Sequence, residues 1–195
     1  MRKRRLILKN FSATVRASLP ESVQPDQVDI WFQDETRVGQ QGSITRIWAE
    51  KGTRPRAIRQ QQFEYSYIFG AACPATGQSV GLVLPCVNSA AMEAHVNAIA
   101  DEVPDGRHAV LIVDGAAWHS YKLNQPKVTL LKLPPYSPEL NPMEQVWLWL
   151  KQKWLSNRAY KNYERIVDAC CEAWNQFADD QVLVSRLCHR KWAQT

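Results

Sequence analysis

Three acidic residues stand at places where a buried chain ordinarily carries none. Asp34 closes the apolar run VDIWFQD (28–34), Asp114 closes HAVLIVD (108–114), and Glu144 lies in NPMEQVW (141–147), where an amphipathic stretch begins. Two-residue alternation sets Asp34 in line with Phe32 and Ile30, and Asp114 in line with Ile112 and Val110. A carboxylate at such a position costs desolvation unless a hydrogen-bond donor, a cation or water meets it. Three that converge would repel one another and take up protons, and a cage of hard oxygen ligands is what magnesium binds. Two ions about 3.5 to 4 Å apart suit phosphodiester chemistry: a water or a DNA 3′-hydroxyl is activated on one side and the leaving oxygen is stabilised on the other.

Each acid also has a local explanation. Either Asp can cap a following turn, and Asp114-Gly115 is a turn signal in itself. In Asn141-Pro142-Met143-Glu144, the Asn can be N-cap, the Pro suits the first helical position, and the Glu can complete a capping box. Glu144 nonetheless projects about 100° around the helix from the centre of the Met143/Val146/Trp147 stripe, at the margin of the buried face. His119 is a candidate auxiliary group near a scissile phosphate, or a hydrogen-bonded structural residue beside Trp118. Asn141 and Tyr136 shape the loop that delivers Glu144.

The elements that must position these residues follow from pattern and punctuation. Strands are expected at 28–34, 44–49, 62–72, 79–85, 108–114 and 128–134, the second and third forming a hairpin around the loop 51–55. The continuous apolar run before Asp114 predicts a central strand covered on both faces. Asn88 is expected to cap a helix running to about Glu102; further helices start at Pro142 and near Tyr163, and their apolar stripes are core. This order predicts a mixed sheet with helices on its faces. With 195 residues the chain is expected to hold one domain, 28–178, with a basic N-terminal extension (1–27) and a C-terminal tail (179–195).

Charge points to a polyanionic partner. The net charge of +5 is modest, but Arg2, Lys3, Arg4, Arg5, Lys9 and Arg16 fall within the first twenty residues with no acid among them. Between Glu35 and Gln62 six bases face two acids. Arg46, Lys51, Arg54, Arg56 and, beyond Glu144, Lys151 are candidate DNA-phosphate contacts; a solvated face is the plain alternative. No apolar run is long enough for a membrane span, and the basic start lacks the features of a secretory signal, so a cytoplasmic protein, nucleoid-associated when bound to DNA, is expected. The five cysteines form no CxxC pair, and the spacing of Cys170, Cys171, Cys188 and His189 fits no common zinc finger.

At these motifs the sequence resembles bacterial insertion-sequence transposases of the IS six-thirty family, relatives of mariner-type elements. The matching stretches are FQDE (32–35), LIVDGAAWH (111–119) and LPPYSPELNPMEQVWLWLK (133–151), within a likeness that covers about 28–155. The resemblance implies an α/β, RNase H-like fold with a mixed central sheet of about five strands flanked by helices. It assigns the metal-binding triad to Asp34, Asp114 and Glu144, with Asp34 bridging two ions, magnesium with manganese able to stand in. Glu35 is turned away by strand parity. It implies hydrolysis at transposon ends followed by strand transfer into target DNA, duplex DNA as partner, and a homodimer assembled on it. The spacing between Asp114 and Glu144 is shorter than is common in the family. Family members carry an upstream helix-turn-helix region, expected here from a separate or fused frame. Two other readings stand beside this one: a related RNase H-fold nuclease without strand transfer, and a non-catalytic DNA-binding transposase remnant.

Overall fold

A computed structural model describes residues 10–53, 55–56, 59–115, 125–135 and 137–193. The chain builds one five-stranded sheet from β1 (Val28–Gly39), β2 (Tyr65–Cys73), β3 (Gln78–Leu84), β4 (His108–Val113) and β5 (Val128–Lys132), in the order β3-β2-β1-β4-β5. β1 pairs antiparallel with β2, and β2 with β3, whereas β1–β4 and β4–β5 are parallel. All six residues of β4 are buried, as its apolar run predicts for a strand covered on both faces.

Alternation sorts the strand side chains into two cores. On one face Trp31, Ala71, Leu111 and Val113 pack against Met92, Val96 and Ile99 of α2 (Ser89–Glu102). That helix is capped by the Asn88 side chain, which accepts from the Ala91 N–H at 2.8 Å. On the other face Ile30, Phe32, Val110 and Ile112 join the larger core. It is covered by α1 (Phe11–Ser18), α3 (Met143–Leu150), α4 (Tyr163–Ala178) and α5 (Gln181–Cys188). The segments expected as extension and tail thus contribute helices whose Phe11, Val15, Leu183, Val184 and Cys188 lie in this core.

The expected strand at 44–49 does not form, which corrects the hairpin. β1 runs on to Gly39 and itself pairs with β2, Gly39 opposite Tyr65, so the neighbouring position in the sheet is taken. With both sides of β2 taken, the connection 40–64 carries Ile44, Ile47, Trp48 and Phe63 exposed. Its two ends are pinned. Gln40 Nε2 and Gln60 Nε2 both donate to the Tyr160 carbonyl, at 3.0 and 2.8 Å, and Asn157 exchanges hydrogen bonds with Thr45. Among the described residues no helix is long and apolar enough to cross a membrane.

Candidate active site

Parallel pairing of β1 and β4 sets the first two acids side by side. The register places Val28 opposite His108 and Phe32 opposite Ile112. Two residues further along each chain stand Asp34, in step with Ile30 and Phe32, and Asp114, and the two line one pocket. Asp34 remains half-buried within β1, while Asp114 has left β4 and is exposed. Glu35, one position on, has the opposite parity; its Oε1 accepts from Gln33 Nε2 at 3.1 Å.

Glu144 arrives from the far side of the sheet end. Beyond β5 come Leu133–Pro135 and then a 3₁₀ turn, Pro138–Leu140, before α3 begins at Met143. Asn141, only 4% exposed, is the bracket between β1 and α3. Its Nδ2 donates to the Gln33 carbonyl at 2.8 Å, next to Asp34, and its Oδ1 accepts from the Met143 N–H at 3.1 Å. The Asn141 N–H goes to the Pro138 carbonyl at 2.9 Å, so the backbone donor that a capping box would offer to Glu144 is already taken. The Glu144 side chain is exposed at the helix start.

Asp34, Asp114 and Glu144 together line one pocket, walled by Gly115, Leu133, Pro134, Pro135 and Pro138. Burial pushes the Asp34 carboxyl up to about 7; the Trp147 hydrogen bond pulls it down, and the charges of Glu35 and Glu144 push it further up. An acid so placed keeps its proton near neutrality unless positive charge joins it. This donor set of hard carboxylate oxygens fits magnesium or manganese. Among the described residues, no group of three His, Cys, Asp or Glu side chains already stands close enough together to hold a metal ion. The acids therefore surround a shared space rather than a closed cage.

The remaining sequence candidates are distributed differently. His119, Arg54 and Tyr136 lie outside the described residues. Arg46, Lys51 and Arg56 are exposed on the connection 40–64, away from the acidic pocket. Lys151 opens the single π-type turn Lys151–Leu155 that continues α3, and lines a neighbouring groove with Arg37, Gly39 and Tyr65. Arg37 also borders a second hollow shared with Asp34 and Asp114, and stacks over Tyr65 with 5.4 Å to the ring centroid. Sequence reasoning missed Arg37 as a site neighbour. It also missed the polar role of Trp147, whose Nε1–H donates to Asp34 Oδ2 at 2.8 Å. The spacing Glu144-x-x-Trp147 was the available signal, since positions three apart on a helix lie on one side.

Comparison with known proteins agrees with this architecture. The sequence profile of the family described as DDE superfamily endonuclease matches residues 29–167. A protein of Sinorhizobium fredii (strain NBRC 101917 / NGR234), named uncharacterized protein y4pE/y4sA, is 49% identical over 131 residues, which is 66% of this chain and 97% of the relative. The Mos1 strand transfer complex is similar in structure, with a TM-score of 0.67 at 15% identity, over 96% of this chain and 56% of the Mos1 chain. The Mos1 mariner paired end complex with Mn gives 0.66 at 14% identity, over 94% of this chain and 56% of the other. The chain thus spans a little over half the length of the solved structures it matches. Its mixed sheet flanked by helices is RNase H-like, as the sequence resemblance implied.

Proposed function

Because the chain belongs to the DDE superfamily endonucleases, we propose that it is the catalytic domain of a DNA transposase, which cuts at element ends and joins them to target DNA. The observation that carries this reading is the single pocket shared by Asp34, Asp114 and Glu144 at the open end of the sheet. These three side chains would hold divalent cations, magnesium in the first place. Bound there, such ions supply charge neutralisation at the phosphate and a more acidic attacking hydroxyl.

The protein's own residues supply the geometry. Asn141 ties the strand of Asp34 to the helix of Glu144, and the proline-rich wall 133–138 gives the pocket a stiff side against which a strand of DNA can lie. In the first reaction water adds to the phosphorus and the 3′-oxygen departs, leaving a 3′-hydroxyl. In the second that hydroxyl attacks a target phosphodiester, forming one P–O bond as another breaks. The basic residues Arg46, Lys51, Arg54, Arg56 and Lys151 would follow the phosphate backbone, a contact that positions DNA without reading its sequence. End recognition would come from a helix-turn-helix region, fused or separate. A homodimer assembled on DNA is the proposed working form. The exposed Ile44, Ile47, Trp48 and Phe63 support it as surface suited to a second copy. Its place of action would be the cytoplasm, at the nucleoid.

The test is to incubate the chain with a duplex bearing the element end, a supercoiled target and Mg²⁺ or Mn²⁺. Nicked ends followed by covalent end-to-target products are expected. Cleavage without joined products would reduce the reading to a nuclease, and no cleavage in any metal would support a DNA-binding remnant.

A further inference from the structure

Helical spacing makes Trp147 a core residue, and most of it is: the side chain is 3% exposed and its ring lies 6.0 Å from that of Trp174. Its polar edge is used otherwise. The Nε1–H donates to Asp34 Oδ2 at 2.8 Å, whereas Trp154 Nε1, buried in the turn that follows, has no hydrogen-bond partner among the described residues. Satisfying an indole N–H is therefore not a general outcome of packing in this part of the chain.

The sheet is shaped to admit that ring. Gly70 stands opposite Asp34 in the β1–β2 register, and Gly81 stands opposite Gly70 in β2–β3. A Cβ on Gly70 would come within 2.5 Å of Trp147 Cη2 and 2.6 Å of Trp174 Cη2, and one on Gly81 within 2.3 Å of Trp174 Nε1. Two facing glycines thus leave a bare strip across adjacent strands, on which two indoles lie, and the strip leads to Asp34.

Resting on the metal-site reading above, we infer that Trp147 is a positioning residue for the Asp34 carboxylate. Rotation of a carboxylate about its last torsion is soft. The indole N–H takes one lone pair of Oδ2 and, with the Glu35 backbone N–H that also donates to this carboxyl, fixes the carboxylate plane, leaving its remaining lone pairs to the pocket shared with Asp114 and Glu144. Since Trp147 is three residues after Glu144 on α3, one helix both presents a ligand and aligns another. Partners of this kind typically change metal affinity by about tenfold to a hundredfold.

The test replaces Trp147 by β-(3-benzothienyl)alanine, which keeps the bicyclic ring and has sulfur in place of N–H, with Trp147→Phe as the encoded counterpart. Mn²⁺ binding to the full chain is measured by calorimetry, and DNA cleavage is followed against Mn²⁺ concentration. The expected result is an affinity loss of about tenfold to a hundredfold, with cleavage regained at raised Mn²⁺ and the thermal transition of the ring analogue close to wild type. A lowered maximal rate that extra Mn²⁺ does not restore, with affinity unchanged, overturns the inference as a merely structural effect. Should the substituted chains fail to fold, wild type labelled with ¹⁵N-tryptophan decides: Mg²⁺ should shift one indole N–H resonance, and Asp34→Asn should abolish that shift. A spectrum that Mg²⁺ leaves unmoved overturns the inference. Wild-type Mn²⁺ binding that Asp34→Asn abolishes and the ring analogue preserves contradicts Trp147 alone. A wild type that binds no Mn²⁺ contradicts the metal site itself and this inference with it.

Discussion

Asp34 and Asp114 line one pocket, each two residues beyond Phe32 and Ile112, the last residues paired between the parallel strands β1 and β4. The β1–β4 register ends short of the acids, while Asp34 stays paired with Gly70 of β2. Burial of Asp34, with the negative charges of Glu35 and Glu144 acting on it, is an unfavourable arrangement for an ionised carboxylate.

That cost has a pH dependence. The folded Asp34 carboxyl titrates at about 7 against an ordinary value of 3.8, because of burial, so the folded state holds the extra proton between these values. Metal-free stability contributed by this group therefore falls as pH rises from about 4 to about 7. Buried His95, lowered to about 4 by desolvation, acts in the opposite sense over much of this window. The informative quantity is consequently the difference between wild type and Asp34→Asn in urea unfolding at several pH values. Wild type should lose stability relative to the variant as pH rises, and Mg²⁺ should restore it above about 7. A pH-independent difference would contradict this account of Asp34.

Asn141→Ala should destabilise the protein by about 1–3 kcal/mol, since it leaves the buried Gln33 carbonyl without its donor and the first turn of α3 without its acceptor. Denaturant melts measure the loss. Cleavage, assayed where the variant is still folded, should fall more than folding does, because β1 and α3 are no longer held together beside Asp34.

Gly70→Ala should cost about 1–3 kcal/mol or more, because its methyl would enter the space of Trp147 and Trp174. Thermal unfolding provides the check. A variant as stable as wild type would show that the two rings move aside readily.

Replacing Lys51, Arg54 and Arg56 by Gln should flatten the slope of log affinity for duplex DNA against log salt by about two to three units, at about 0.9 per phosphate contact. An unchanged slope would make these residues a solvated loop.

That Asp34 and Asp114 come to one pocket was legible because strand parity is a strict rule. Residues 30, 32 and 34 had to share a face, as did 110, 112 and 114, and one stretch from Leu133 to Lys151 carried the turn and helix that bring Glu144. What stayed hidden depended on partners distant in sequence. ITRIWA at 44–49 has strand-forming residues, yet β1 and β3 already occupy both sides of β2, the strand it would pair with. The core helices at 11–18 and 181–188 are short, and their apolar positions acquire meaning only against the sheet. Trp147 was readable as core; helical periodicity reports which face is buried, but not that the edge of a buried ring meets Asp34 across 113 positions of sequence.

Whether Asp34, Asp114 and Glu144 act together to cut DNA with a divalent cation is decided by cleavage assays of Asp34→Asn, Asp114→Asn and Glu144→Gln in Mg²⁺ and in Mn²⁺. Each change removes a charge and almost no volume. The account predicts that all three abolish cleavage, by about a hundredfold or more, while circular dichroism and duplex binding remain near wild type. Substantial cleavage by any one of these folded variants would remove that residue from the triad and contradict the account.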